Sequence, residues 1–466
     1  MVGPDYQRPS ALGTNAMPAA FAEITATNVG KWKPAEPSAH LPRGSWWEIF
    51  EDPELNRLET LATADNQQLA VAFANFQQAR TLVDVARSVA FPQISTTPSF
   101  SRQRTSANSV AGKSSTFNTF NIPLDASWEL DLWGRVRRGV EGSRARLTAA
   151  VDDLESAKLT IQAELAIDYF TLRSLEVQHQ VLVENIAAYR RSLELTQNRH
   201  KSGIATELDV AQAETQLRST EARVPVVDLQ SATLRHAMAT LCGQPAPTFV
   251  VNPVPAATNA PPSVPIAVPS ELLERRPDIA AAERLMAAAN ADIGVARAAF
   301  YPSVVINGLA GFQSIDAGAL FNWESRVWAL GPSLQLPLFT GGRNRAQLAS
   351  ALAAYDGVVA NYRQTVLSAF QEVEDQLAAQ RLLAQQYDAE NAALKAARRT
   401  LEISMAKYKG GVITYLDVAI AQSAALVHEQ TVVGLRAARL TASVSLIKAL
   451  GAGWNVDNGP VSAPDH

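Results

Sequence analysis

The chain carries the same short motifs twice, in the same order and about 208 to 210 residues apart. Val85–Arg87 returns as Val295–Arg297, and Leu208–Val210 returns as Leu416–Val418. This spacing is several times longer than the roughly 20 to 50 residues of a solenoid repeat. The sequence therefore predicts a duplicated domain, in which the architecture of one half predicts that of the other.

Composition argues against several classes of protein. The 466 residues carry a net charge of −4, whereas nucleic-acid-binding proteins present a strongly basic face. One cysteine, Cys242, and six histidines without metal-ligand spacing predict no metal site. The sequence also contains no phosphate-binding loop and no nucleophile motif. We therefore predict that the protein is not an enzyme, binds no cofactor and does not bind nucleic acid.

Alternating polarity predicts one β-hairpin in each half, over 93–133 and 302–339. Between Phe120 and Leu132 the even-numbered residues are apolar and the odd-numbered ones are mostly polar or acidic. Apolar side chains outside and carboxylates inside are what a membrane barrel around water requires. A soluble sandwich alternates in the same way, so this strand alone leaves both interpretations open. The second hairpin favours the barrel, because strands of about 10 residues suffice to cross a bilayer when tilted.

No apolar run approaches the roughly 18 residues of a membrane-spanning helix, so any contact with a bilayer must come from strands or from a lipid. A helical pattern of apolar residues nevertheless continues over two long stretches, 135–201 and 343–409. At about 1.5 Å per residue each such helix would measure about 100 Å. Return helices follow over 206–241 and 414–450, and Pro225 should kink or break the first of them.

These elements divide the chain into five segments. An extended arm with a short helical part covers 1–65, and a first repeat covers 66–244. A Pro-rich linker over 245–276 leads to a second repeat over 277–453, and a tail follows over 454–466. Each repeat contains a helix, a β-hairpin, a long helix and a return helix. Two short helices stacked against one long helix would give a coiled-coil pair in each half.

Four strands from one chain cannot close a barrel around water, and lipid does not tolerate open sheet edges. Copies must therefore combine around an axis, and three copies would supply twelve strands and twelve helical rods. The sequence thus predicts an α+β membrane protein that works as a homotrimer.

Several motifs resemble those of one family. The chain is similar, over nearly its whole length, to the TolC/OprM family of outer-membrane efflux channels, and in particular to its lipoprotein, NodT-like branch. The motifs that carry the resemblance are Val2–Tyr6, Trp46–Trp47, Trp128–Arg135 and Leu273–Ile279. The resemblance implies a duplicated β-hairpin with a long coiled coil, assembled as a trimeric twelve-stranded β-barrel continuous with a twelve-helix periplasmic tunnel.

The resemblance also implies a cellular role. In the tripartite multidrug efflux systems of this branch the channel is a passive exit duct in the outer membrane of Gram-negative bacteria. Its partners are outer-membrane lipids, a periplasmic adaptor and an inner-membrane RND-type transporter that supplies the energy. We expect export of drugs or small toxic solutes, and a lipid on a cysteine just ahead of Met1 or in its place.

Two helical turns, 203–209 and 411–417, correspond to the periplasmic end that opens when adaptor and pump dock. By resemblance the gate residues are Asp209, Asp417 and Tyr408, and the adaptor-docking residues are Gly203, Ile204, Gly410, Gly411 and Val412. Three copies would bring six carboxylates together, which would select cations and raise some carboxyl pKa values by mutual repulsion. Alternatively, both aspartates only complement helix dipoles.

The sequence also departs from the family pattern. Ile413 stands where other members carry an arginine that links to a neighbouring helix, and Ile420 stands where a second acidic ring can occur. We therefore do not expect the arginine restraint that holds the tunnel closed in those members, and we expect weaker ion selectivity. Leu320 and Phe321 lie in an otherwise polar loop, where they would form an apolar constriction at the outer mouth or simply pack within the loop.

Other functions remain open at this point. A duct of the same fold could serve type I protein secretion or metal efflux, although neither histidine nor methionine spacing suggests a metal route. A soluble coiled-coil scaffold or adaptor is an alternative of another class, in which the strands would form a small capping sheet. The apolar face between Phe120 and Leu132 argues against it.

Overall fold

The structure is a computed structural model, and it describes residues 1–12, 18, 21–23, 44–108, 114–253, 262 and 275–452. Within the predicted first segment, residues 13–17, 19–20 and 24–43 lie outside the described residues, as do most of the Pro-rich linker and the tail over 454–466. No helix in the described ranges combines enough length with enough apolar character to cross a membrane.

Helices make up most of the described chain. Their bounds are α1 Pro53–Asp65, α2 Gln67–Ser88, α3 Arg135–Lys201, α4 Glu207–Glu221, α5 Val224–Leu241, α6 Pro277–Ala298, α7 Arg343–Lys409 and α8 Tyr415–Ala449. Both long helices, α3 and α7, contain 67 residues. Both helices begin and end at the residues predicted from the sequence, 135–201 and 343–409.

Glycines explain why both long helices end where they do. Gly203 and Gly411 have φ angles of 72° and 75°, in the left-handed region that glycine adopts without strain. Basic side chains occupy the last turn of each helix, where they complement the dipole. Each long helix therefore stops at a glycine, and the chain turns back into a return helix.

The two return helices differ, as Pro225 predicts. Pro225 lies in the first turn of α5, and α4 ends at Glu221, so the first return helix consists of two pieces. Proline fits the first turn of a helix but lacks the N–H that a continuous helix would need. The second return helix, α8, runs unbroken for 35 residues.

In the part of the chain that the structure describes, five strands form one antiparallel sheet. They are β1 Gln93–Thr96, β2 Ser99–Arg104, β3 Thr116–Leu130, β4 Ser303–Ser314 and β5 Arg326–Gln335. Their order is β1, β3, β4, β5, and β2 pairs with β3 beside β1. The continuous first strand expected from the alternation is interrupted between Thr96 and Ser99, because Pro98 has no N–H for the ladder.

The described chain forms two compact units, and each contains parts of both sequence repeats. One unit holds the sheet with the segments 74–151 and 281–364, and the other holds 152–280 and 365–466. The compact units thus cut across the repeats, whose five-segment division remains a prediction from the sequence.

The core of the second unit is aromatic and aliphatic. Trp46 is buried against Phe50, and Phe50 packs against Phe170 with ring centroids 4.9 Å apart. The Tyr169 hydroxyl donates a 2.7 Å hydrogen bond to Asp52, whose other carboxylate oxygen caps α1. The Trp46–Trp47 motif therefore has a structural role in this core.

Arg276, from the Leu273–Ile279 motif, is almost fully buried in the same unit. Its guanidinium forms ion pairs with Asp278 and with Glu372 of α7, each at 2.6 Å, and donates to the carbonyl of Ala449 at 3.1 Å. The motif thus connects the start of α6 to α7 and to the end of α8. This agrees with a structural role for the motif.

Candidate functional site

The first helical turn is held by a complete capping box. Thr206 precedes α4, and its side chain accepts the N–H of Asp209 at 3.2 Å. In return, one carboxylate oxygen of Asp209 accepts the N–H and the hydroxyl of Thr206, at 2.9 and 2.8 Å. These bonds satisfy N–H groups that a helix start leaves without partners.

Asp209 also joins the two repeats. Its second carboxylate oxygen accepts the backbone N–H of Tyr415, the first residue of α8, at 3.2 Å. Burial raises the pKa of Asp209, but the hydrogen bonds from Thr206 and Tyr415 and the nearby Arg199 outweigh burial and hold it below its ordinary value. Within one chain the carboxylate is therefore ionised and shared between two helix starts.

The second turn lacks this arrangement. Thr414 precedes α8, but its side chain accepts no backbone N–H. Asp417 is exposed, and it accepts a hydrogen bond of 3.2 Å from the Thr414 hydroxyl. The two aspartates that the repeats align thus differ, since Asp209 is bound by two turns and Asp417 by its own turn.

Tyr408 is buried between the two repeats. Its hydroxyl donates a 3.0 Å hydrogen bond to Thr196 of α3, and its ring meets that of Tyr415 edge-on at 5.5 Å. Burial, together with the neighbouring Tyr408, raises the pKa of Tyr415 to about 12. Both rings belong to one apolar cluster with Ala213 and Val418.

A cation from the first repeat contacts the end of the second long helix. Arg199 of α3 lies over the Tyr408 ring at 4.9 Å and donates to the carbonyl of Lys409 at 3.0 Å. It therefore links the end of the first long helix to the end of the second.

The predicted docking residues include exposed apolar side chains. Ile204 is 65% exposed and Val412 is 72% exposed, at equivalent points of the two turns. Gly203 and Gly411 provide the positive φ that each turn needs, while Gly410 continues the end of α7 with a hydrogen bond to Ala406. Both turns thus present an apolar tip on a fixed backbone.

The outer loop between β4 and β5 separates its two candidate residues. Leu320 is buried, whereas Phe321 is 71% exposed and its ring touches that of Phe312 at 5.5 Å. Within one chain, therefore, Leu320 packs inside the loop and Phe321 stands out from it. The apolar constriction stays a prediction.

The sheet has two chemically different faces. Residues directly opposite one another point to the same face, and Thr96, Leu124, Ala310 and Trp328 lie opposite one another across the sheet. On this face Leu124 is 55% exposed and Trp328 is 79% exposed. Asp125 and the other odd-numbered residues of β3 share the opposite face. One face suits lipid and the other suits water.

The first family motif runs beside this sheet. The N–H of Val2 donates to the carbonyl of Trp133, just after β3, at 2.9 Å. Asp5 forms an ion pair of 2.8 Å with Arg138, and the Tyr6 hydroxyl donates to Glu283 at 2.7 Å. The start of the chain is therefore held at the C-terminal end of β3.

Only part of this site was visible in the sequence. The Thr206–Asp209 box has the spacing of a capping box, so its signal is local. Arg199 contacts Tyr408, and Asp209 contacts Tyr415. Both contacts join residues more than 200 positions apart in the sequence, so no local sequence pattern predicts them. In the ranges that the structure describes, no group of His, Cys, Asp or Glu residues is arranged to hold a metal ion.

Comparison with known proteins agrees with this geometry. The family described as "Outer membrane efflux protein" matches residues 58–244 and 268–452. The chain is 32% identical to the probable efflux pump outer membrane protein TtgC of Pseudomonas putida, covering 98% of this chain and 93% of that protein. It is also 32% identical to the pyoverdine export outer membrane protein OpmQ of Pseudomonas aeruginosa, covering 90% of each. The structure of the outer-membrane channel OprN matches with a TM-score of 0.86 and 32% identity, over 97% of this chain and 99% of that one.

Proposed function

The chain belongs to the family of outer membrane efflux proteins, and on this premise we propose that three copies of it form the exit duct of a tripartite efflux pump. The duct lies in the outer membrane of a Gram-negative bacterium and reaches into the periplasm. The observation that carries the proposal is the sheet with one exposed apolar face and one polar face. A channel of this kind has no catalytic step, so an inner-membrane RND-type transporter supplies the energy through a periplasmic adaptor.

The test is reconstitution of the purified protein. Light scattering in detergent should give the mass of three chains of 50.1 kDa each, and planar bilayers should show discrete conductance steps. A protein that stays in the aqueous phase without detergent and gives no conductance would instead be a soluble scaffold or adaptor.

The two helical turns form the gate of the proposed duct. Asp209, Tyr408 and Arg199 join the repeats at this point, and Asp417 presents an exposed carboxylate nearby. In the trimer, six carboxylates near one axis favour cations. Replacing both aspartates, with Asp209→Ala and Asp417→Ala, should lower the cation preference in planar bilayers. Unchanged reversal potentials would rule out the charged ring.

Docking of the adaptor occurs at the apolar tips of the turns. Ile204 and Val412 are exposed in one chain, and burial of each against a partner would contribute up to about 2 kcal/mol. Ile204→Ser with Val412→Ser should weaken binding of the cognate adaptor and leave the conductance unchanged. Exposed Val226, away from the turns, provides the control substitution Val226→Ser.

A lipid on a cysteine at or just ahead of Met1 anchors the duct. The N–H of Val2 is tied to the end of β3, beside the apolar face of the sheet, so an acyl chain there would reach the membrane. Mass spectrometry of the native N-terminus provides the test. A diacylglyceryl cysteine supports the anchor, and an unmodified Met1 as the first residue contradicts it.

The exported solutes are drugs or other small toxic compounds. TtgC is named as an efflux pump component and OpmQ as a pyoverdine export protein, and both are about as long as this chain. A deletion strain should become more sensitive to such compounds and recover when the gene is restored. Loss of a secreted protein or sensitivity to metal ions alone would favour the secretion duct or the metal-efflux duct.

A further inference from the structure

A cavity of about 600 Å³ lies where the end of β3 meets the first turns of α3. Its apolar lining includes Trp128, Val136 and Val140, and its charged lining includes Glu141 and Arg144. We propose that in each copy this cavity binds the phosphoethanolamine headgroup of a membrane phospholipid. The inference rests on the proposed outer-membrane duct, and it assigns a ligand to a site outside the gate.

The cavity lies beside aromatic side chains that suit a membrane interface. Trp128 shares the apolar face with Leu124, because side chains four positions apart in a strand point to the same side. Its indole N–H donates to the carbonyl of Ala90 at 3.0 Å. Just beyond the same end of the sheet, the rings of Trp133 and Tyr301 stack with centroids 4.8 Å apart. Tryptophan and tyrosine concentrate at the level of lipid headgroups, so the cavity of the proposed duct lies at that depth.

Most charges around the cavity are already paired. Arg137 forms an ion pair with Asp131 at 3.0 Å, and Arg135 forms another with Glu129. Arg144 is exposed, and its guanidinium forms no hydrogen bond or ion pair with the residues that the structure describes. One positive charge in the cavity therefore has no counter-ion from the chain. A phosphate would supply it, because guanidinium groups bind phosphate oxygens through paired hydrogen bonds.

An unbalanced negative charge lies next to Arg144. Arg138 is buried and forms ion pairs with both Asp5 and Glu141, each at 2.8 Å, so two carboxylates share one guanidinium. The Glu141 side chain is 39% exposed, which leaves it open to an ammonium group. Glu141 and Arg144 are three residues apart on a helix, so their Cβ atoms lie about 5 to 6 Å apart. This spacing suits an ammonium and a phosphate that two methylene groups connect.

The second repeat lacks this pair of charges. The residues 208 positions beyond Glu141 and Arg144 are Ala349 and Leu352, at the matching point of the other long helix. Leu352 is 40% exposed, so a long helix of this kind accommodates leucine there. The proposed site therefore belongs to the first repeat alone, and the chain itself suggests Arg144→Leu as a substitution that the fold tolerates.

Native mass spectrometry of the delipidated full chain tests the site. Phosphatidylethanolamine, phosphatidylglycerol and inorganic phosphate are added separately and in competition. The unchanged protein should bind one phosphatidylethanolamine per chain, and more tightly than phosphatidylglycerol, which has a phosphate but no ammonium. Arg144→Leu should weaken the binding of phosphatidylethanolamine roughly tenfold, because one charge-assisted contact is lost. Glu141→Gln should abolish the preference between the two lipids.

The matched control is Arg345→Leu. Arg345 is an exposed arginine in the first turn of α7, and its replacement should leave lipid binding unchanged. Equal losses in Arg144→Leu and Arg345→Leu would reveal a general basic band and overturn the site. Equal affinities for the two lipids, or displacement of both by inorganic phosphate, would overturn it as well.

The other candidate occupant is the acyl chain of the proposed anchor, since Met1 also lines the cavity. An acyl chain that fills the cavity would leave no room for added lipid, so absence of binding overturns the headgroup site. In a particle with the mass of three chains, each of these failures leaves the duct intact. A particle with the mass of one chain would contradict the trimeric duct, and the same lipid comparison would then decide the site separately.

Discussion

At the scale of single residues, Asp209 and Asp417 differ although the repeats align them. Asp209 accepts hydrogen bonds from Thr206 and from the N–H of Tyr415, whereas Asp417 accepts one from Thr414. Removing a capping carboxylate costs about 1 kcal/mol, so amide exchange across 203–209 and 411–417 should accelerate roughly fivefold in Asp209→Ala. Asp417→Ala is the matched control and should change exchange little. Equal acceleration in both variants would contradict the shared cap.

Because Glu59 is buried, we expect the stability of the protein to depend on pH in an unusual way. Its side chain is fully buried, and neither carboxylate oxygen has a hydrogen-bond partner in the described structure. Burial raises its pKa well above the ordinary value. Because the pKa is raised, the contribution of Glu59 to folding stability is fully present below its ordinary pKa of about 4.5. This contribution is lost as the pH rises through the pKa that Glu59 has in the folded protein.

Replacement by glutamine removes this loss. In Glu59→Gln the midpoint of thermal unfolding should stay nearly constant from about pH 5 to pH 8, while that of the unchanged protein falls. Scanning calorimetry of the detergent-solubilised protein measures both curves. Glu48→Gln, at an exposed position nearby, is the control and should follow the unchanged protein. Parallel curves for all three proteins would show that Glu59 is not protonated in the fold.

At the scale of elements, Pro225 and its repeat equivalent Val433 offer a reciprocal test. Pro225 starts α5 after a break, while Val433 lies inside the unbroken α8. Val433→Pro should destabilise the protein by about 3 kcal/mol, because proline removes a helical hydrogen bond and clashes with the preceding turn. Pro225→Ala should change stability by less than about 1 kcal/mol. Unfolding by guanidinium measures both, and Val433→Ala corrects for the lost side chain.

The elements show what a sequence of this kind reveals. The long helices were predictable because their period continues unbroken to Gly203 and Gly411, which stop them locally. The break between β1 and β2 was missed, because polarity alternates through Pro98 while backbone pairing does not. In the gate, the Thr206–Asp209 box is a local pattern. The Arg199–Tyr408 contact depends on packing between helices from different repeats, and packing leaves no local signal.

At the scale of the whole molecule, the duplication acts through strand register as well as through sequence. From one strand to the next, the register shifts in the same direction along the sheet. Thr96 lies opposite Leu124, and Leu124 lies opposite Ala310, which is four residues beyond Ile306, the repeat equivalent of Thr96. A constant stagger of this kind is what closing a sheet into a barrel requires. One chain therefore contains the rule by which further copies extend the sheet.

The two faces of that sheet predict opposite effects of one added charge. Leu330 lies on the apolar face and is 72% exposed, and its neighbour Ala329 points to the other face. A lysine facing lipid near the middle of the bilayer costs about 2 to 4 kcal/mol in each copy, whereas one facing water costs little. Leu330→Lys should therefore reduce the amount of trimer that resists detergent denaturation in outer membranes. Ala329→Lys should leave that amount unchanged and shift ion selectivity toward anions in planar bilayers. The reverse pattern would show that the odd-numbered residues face lipid.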